Sequence, residues 1–75
     1  MTADFFYTPN SEKRKISAGL SRDYKAVSDV FGDVIRETDI PTLEAMKAAS
    51  EAEAFYEELI KAVEQCGEIS IHIEW

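Results

Sequence analysis

The amino-acid sequence predicts a small α+β domain of order β(β)ααβ. Two amphipathic helices pack on one face of a two- or three-stranded antiparallel sheet, with the N- and C-terminal strands paired. Three observations predict this. The last eight residues, Glu68 to Trp75, alternate without a fault: Ile69, Ile71, Ile73 and Trp75 on one face, Glu68, Ser70, His72 and Glu74 on the other. That is the period of a strand with one wet face, which belongs in an antiparallel sheet. Upstream, apolar residues recur at spacings of three and four over two long stretches, the period of helices. Near the start, Asp4 to Thr8 carries Phe5, Phe6 and Tyr7, residues that favour pleated backbone and supply the partner the last strand needs.

Each element has its own signals. Pro9-Asn10-Ser11 is turn chemistry. Lys15 to Ala18 is a weak return strand with Ile16 facing inward. Ser21 is placed to cap the first helix, with Asp23 in the first turn, where the helix dipole favours a carboxylate. Leu20, Tyr24, Val27, Val30, Phe31, Val34 and Ile35 then cover an arc of about 140°. The expected helix therefore runs to Glu37. Gly32, at the edge of that arc, costs about 1 kcal/mol relative to alanine. It marks either close packing or a weak point.

Thr38-Asp39-Ile40-Pro41-Thr42 is a break with cap residues and a proline suited to a helix's first turn. The second helix is expected to run to Cys66, with Gly67 as a left-handed stop. Its stripe is Ala45, Ala48, Ala49, Ala52, Phe55, Tyr56, Leu59, Val63 and Cys66. Leu43 and Met46 project outside that stripe. Either the helix is kinked or restarted near Ala48–Ser50, or these two side chains meet a partner. The first strand has aromatics on both faces, so one face points away from the helices.

The chain of 75 residues forms one domain, 1–75. At this size only roughly 60% of the unfolded surface is buried, so the core is thin. No apolar run approaches a membrane span. The first fifteen residues place apolar side chains before basic ones, the reverse of a secretory leader. One cysteine excludes an internal disulfide. A cytoplasmic location is expected.

Catalytic and cofactor motifs are missing, and neither a metal nor a cofactor is expected. His72 and Cys66 are the only soft ligands, too few for a zinc site. No nucleophile elbow surrounds the serines. Asp29, Asp33 and Glu37 recur at four, as do Glu53 and Glu57, but without the histidines of a di-metal bundle. The reading is a non-enzymatic protein.

Charge carries the functional expectation. The net charge is −7. From Ala26 onward twelve carboxylates face three basic side chains, a net of −9, whereas the first 25 residues carry +2. Such a field repels nucleic acid and attracts basic surfaces. Lys13-Arg14-Lys15, the one basic cluster, supplies few phosphate contacts, so direct nucleic-acid binding is disfavoured. The favoured expectation is an interaction module, an inhibitor or regulator, docking an acidic helical face on a basic surface of a partner protein, a nucleic-acid-binding surface among the candidates. The partner-binding candidates are Asp29, Asp33, Glu37, Glu51, Glu53, Glu57 and Glu58, with Leu43 and Met46 as apolar anchors. In size and charge the chain resembles small acidic inhibitors of phages and mobile elements, such as anti-restriction and anti-CRISPR proteins. That resemblance rests on gross composition, with no shared motif. The alternatives are a homodimer formed through the sheet or its aromatic strand face, and weak nucleic-acid binding through Lys13–Lys15. The molecule is expected to be electrically two-sided, with a basic N-terminal turn opposite an acidic helical layer.

Overall fold

The computed structural model describes residues 3–9 and 12–75. In chain order the elements are β1 (Asp4–Thr8), β2 (Arg14–Ile16), α1 (Ser21–Phe31), β3 (Val34–Arg36), a 3₁₀ turn (Glu37–Asp39), α2 (Ile40–Ala48), α3 (Glu53–Cys66) and β4 (Glu68–Glu74). The antiparallel sheet has the order β2-β1-β4-β3. The terminal strands pair at its centre, with Phe5 opposite Ile73 and Tyr7 opposite Ile71. The α+β class and the pairing of the first and last strands are therefore as expected. Of the predicted turn Pro9-Asn10-Ser11, Asn10 and Ser11 lie outside the described residues.

The strand period of two decides what the helices cover. Phe5, Tyr7, Ile16, Ile35, Ile69 and Ile71 are buried on one face of the sheet. Tyr24 and Val27 from α1 pack into the same core, together with Phe55, Tyr56, Leu59 and Val63 from α3. The centre is aromatic. Phe55 meets Phe5 edge-on at 5.0 Å and Tyr56 at 5.0 Å, and Tyr24 lies 5.3 Å from both Phe5 and Phe55. Such pairs add about 0.5–1.5 kcal/mol each beyond their buried area.

Three elements differ from the sequence reading. The first helix stops at Phe31, and Val34–Arg36 is a fourth strand on β4. Gly32 is the cause: its φ of +72° belongs to the region that side chains with a Cβ avoid, and it ends the helix there. Val34 and Ile35 then sit on opposite sheet faces, with Ile35 fully buried against Ile69. Val30, expected in the core, is 55% exposed at the edge of α1. Ser21 is not a cap. It is the first helical residue, and Leu20 occupies the cap position with no side-chain bond. The return strand is shifted to Arg14–Ile16.

The second predicted helix is two helices, broken after Ala48 and restarted at Glu53. The break resets the helical phase, which accounts for Leu43. On α2, with its own axis, Leu43 points into the core and is 0% exposed. It is a packing residue, not an anchor open to a partner. Ile40 and Met46 are half-buried against the same core. α3 ends as expected, with Gly67 at φ +83° and its N–H donating to the Val63 carbonyl at 2.7 Å.

Candidate functional site

Two grooves in the helical layer flank α2. The first lies between α2 and α3, has a volume of about 620 Å³, and has Ala48 and Ile60 among its apolar lining residues. Glu44, Glu53, Glu57 and Glu64 line it as well. Helical spacing brings them together: Glu53, Glu57 and Glu64 share a flank of α3, and Glu44 approaches from α2. Lys47 bonds Glu57 across the groove at 3.1 Å, in place of the Glu57–Lys61 pair that spacing suggests. Lys61 also lines the groove, leaving it two negative charges in excess.

The second groove, of about 560 Å³, runs along α1 past the α2–α3 break. Ala26, Met46 and Ala49 supply its apolar lining, and Arg22 and Glu51 also line it, pairing at 3.7 Å. Asp23 is in the lining too, only 6% exposed. Ser50 Oγ–H donates to Asp23 Oδ1 at 2.8 Å, and the Tyr56 hydroxyl donates to the same oxygen at 3.0 Å. The Ala52 N–H in turn donates to Ser50 Oγ at 3.0 Å. One carboxylate thus ties the first turn of α1 to the break between α2 and α3 and to the start of α3. Asp23 Oδ2 is buried and has no hydrogen-bond partner among the described residues. A buried acceptor left unmade costs about 1–3 kcal/mol. Burial first, and then the hydrogen bond and charge of Asp23, push the Tyr56 phenol up to about 12. It is therefore a neutral donor at any physiological pH.

The sheet's other face carries no helix among the described residues. Phe6 lies on it, stacked against His72 with ring centroids 6.3 Å apart, and Lys13 Nζ sits 4.3 Å from the Phe6 centroid. Glu74 meets both, at 3.5 Å from Lys13 and 3.8 Å from His72. Trp75, just past β4, is 63% exposed.

The carboxylates singled out in the sequence do not form one face. Glu53 and Glu57 meet in the α2–α3 groove, and Glu51 lies at the other groove with the half-buried Met46. Glu58 points the opposite way, toward Tyr7 and Arg14. There, burial and then the charge of Glu58 raise the Tyr7 phenol above its ordinary value. Asp29 pairs with Lys25 at 3.1 Å. Asp33 and Glu37 flank β3, where their backbone groups bond Ile71 and Gly67.

The basic turn is not a free positive patch. Lys13 pairs with Glu74, Arg14 with Glu12 at 3.4 Å and Lys15 with Asp4 at 3.2 Å. The expected positive side is largely neutralised by its own carboxylates. Among the described residues only Arg36 and Lys61 lack an ion pair, whereas Asp33, Glu37, Glu44, Glu53, Glu64 and Glu68 have none. The charge left over on the surface is negative.

The sequence reading missed the Asp23–Ser50–Tyr56 constellation. Its partners lie 27 and 33 positions apart, and no spacing rule links them. The one local signal, Asp23 in a first turn, has an ordinary explanation in the helix dipole. Among the described residues, no group of three or more His, Cys, Asp or Glu is placed to hold a metal ion, and no helix is long and apolar enough to cross a membrane. No family model, curated protein or solved structure matches the chain.

Proposed function

We propose that this protein is an interaction module that docks its acidic helical layer on a basic surface of a partner protein and regulates or inhibits that partner. One observation carries the reading: six of its cations are held by its own carboxylates, which leaves an uncompensated negative field. Lys47 excepted, those pairs lie outside the α2–α3 groove, where Glu44, Glu53 and Glu64 remain unpaired among the described residues. Unpaired like charges on neighbouring helices cost the isolated chain stability, and a basic partner relieves that cost on binding. The field speeds encounter and sets orientation. Half-buried Ile60 and Met46, one at each groove, supply apolar contact. The same pairing occupies Lys13, Arg14 and Lys15, the cations that phosphate binding requires.

The test is capture from native-host extract by the tagged chain, compared with a triple variant Glu44→Lys, Glu53→Lys, Glu64→Lys. All three positions are exposed, so the fold is expected to survive. Salt-sensitive capture of a basic protein that the triple variant loses supports the reading. An unchanged set of captured proteins overturns it.

A further inference from the structure

The groove beside α1 combines two features that do not occur together by default. Part of its lining is apolar and small, from Ala26 and Ala49, with Met46 beside them. Asp23 also lines it, with one oxygen saturated and the other without a partner. Buried polar atoms are nearly always bonded, so an orphaned carboxylate oxygen calls for a donor that the isolated chain does not supply. We infer that this groove is a receptor for a lysine side chain presented by the basic surface of the partner, with the ammonium donating to Asp23 Oδ2. The inference rests on the docking reading above and names the contact that would anchor it.

The chemistry selects lysine on three counts. A flexible four-carbon stem matches the apolar lining, where it stays dry as the charge goes inward. The free acceptor is a single oxygen, because Ser50 and Tyr56 already donate to Oδ1. An ammonium donates to one point, whereas a guanidinium is built for both oxygens of a carboxylate at once. The Tyr56 oxygen, whose hydrogen is committed to Asp23, keeps lone pairs to accept a second ammonium hydrogen. At the rim Arg22 and Glu51 pair at 3.7 Å and cancel in charge, so Asp23 supplies the net negative charge of the groove. Oδ2 is closed to solvent in the free chain, so entry requires a small opening of the lining. Met46, half-buried and unbranched, is the side chain able to move at least cost.

The experiment is a titration of the isotope-labelled full chain, followed by amide NMR, with the peptide acetyl-Gly-Lys-Gly-amide. Its norleucine and arginine counterparts serve as controls. The expected result is saturable shifts centred on Asp23, Ala26, Ser50 and Tyr56 with the lysine peptide, weaker with arginine and absent with norleucine. Asp23→Asn keeps the acceptor for Ser50 and Tyr56 but turns the orphan position into a donor, and should weaken binding about tenfold or more. If Asp23→Asn does not fold, Ala49→Trp at an exposed position blocks the groove without touching the network, and should give the same loss. Lysine-peptide shifts confined to the α2–α3 groove and unaffected by either variant would overturn the pocket while leaving the acidic docking reading standing. Arginine binding as tight as lysine would overturn the choice of lysine. Absence of saturable shifts with either cationic peptide would overturn the pocket altogether, whatever the capture experiment shows.

Discussion

Tyr56 donates its phenolic hydrogen to Asp23 at 3.0 Å, across 33 positions of chain, and both side chains are buried. The bond joins α3 to α1 where few backbone contacts do so. Its second role is to hold Asp23 so that one oxygen is satisfied and the other left over. Tyr56→Phe should therefore cost more than one neutral hydrogen bond, since it leaves a buried carboxylate with Ser50 as its only donor among the described residues. A loss of about 1–3 kcal/mol is expected by urea denaturation. The double variant with Asp23→Asn should lose less than the sum of the single losses, because the two groups act on each other.

The same bond predicts an alkaline limit. In the unfolded chain Tyr56 titrates near 10. In the folded chain it is pushed up to about 12. Between those values the unfolded state sheds a proton that the folded state keeps, so stability falls as pH rises. It is fully present below about pH 10. Tyr7, also raised, adds to the same decline. Tyr56→Phe should show a shallower loss of melting temperature across this window, and absorbance titration near 295 nm should lose its latest-ionising phenol.

Leu43→Ala separates packing from docking. The side chain is 0% exposed, so truncation should cost about 2–5 kcal/mol through the cavity it leaves. A variant with wild-type stability would mean that Leu43 is not the core residue described. In a domain of marginal stability the expected loss reaches a large fraction of the total.

Why Leu43 looked available from sequence alone is instructive. Its phase conflicts with the stripe of α3, and the conflict correctly signalled a break near Ala48–Ser50. What the phase did not reveal is that α2 has its own axis and turns Leu43 inward. β1 and β4 were legible because a period of two admits one inward set, Phe5 and Tyr7 against Ile71 and Ile73. β3 was not, because Val34 and Ile35 satisfy the helical period as well as the strand period. Only the backbone at Gly32 separates the two. The buried site was the least legible part, since Asp23, Ser50 and Tyr56 meet through tertiary packing that no local pattern encodes.

Two glycines should respond to alanine for different reasons. At Gly19 a Cβ would lie 2.6 Å from Tyr24 Cε1 and 2.9 Å from Phe55 Cγ, inside the aromatic centre. Gly19→Ala should cost about 1–3 kcal/mol by overpacking. At Gly32 a Cβ meets nothing within 4 Å, and the cost arises from the φ of +72° alone. Gly32→Ala should lose about 1–2 kcal/mol, and Gly32→Asn less, since asparagine tolerates positive φ. Thermal melts of the three variants check the ordering; equal losses for Ala and Asn at position 32 would place the cause elsewhere.

Salt should stabilise the isolated chain, and the reason lies in which charges are paired. Screening weakens the exposed pairs, such as Lys25–Asp29, but each of these contributes little, about 0–1 kcal/mol. It weakens just as effectively the repulsion among Glu44, Glu53 and Glu64, which have no ion pair among the described residues. With a net charge of −7, repulsion is the larger sum. The melting temperature is therefore expected to rise between about 0.01 and 0.15 M sodium chloride, where the screening length falls from about 30 to 8 Å. Glu53→Lys should flatten that rise, while the new attraction to Glu57 at i+4 is offset at low salt by the loss of a carboxylate from the first turn of α3. A melting temperature that falls with salt would mean that the paired charges dominate. The negative field would then not be the uncompensated surface on which the docking reading depends.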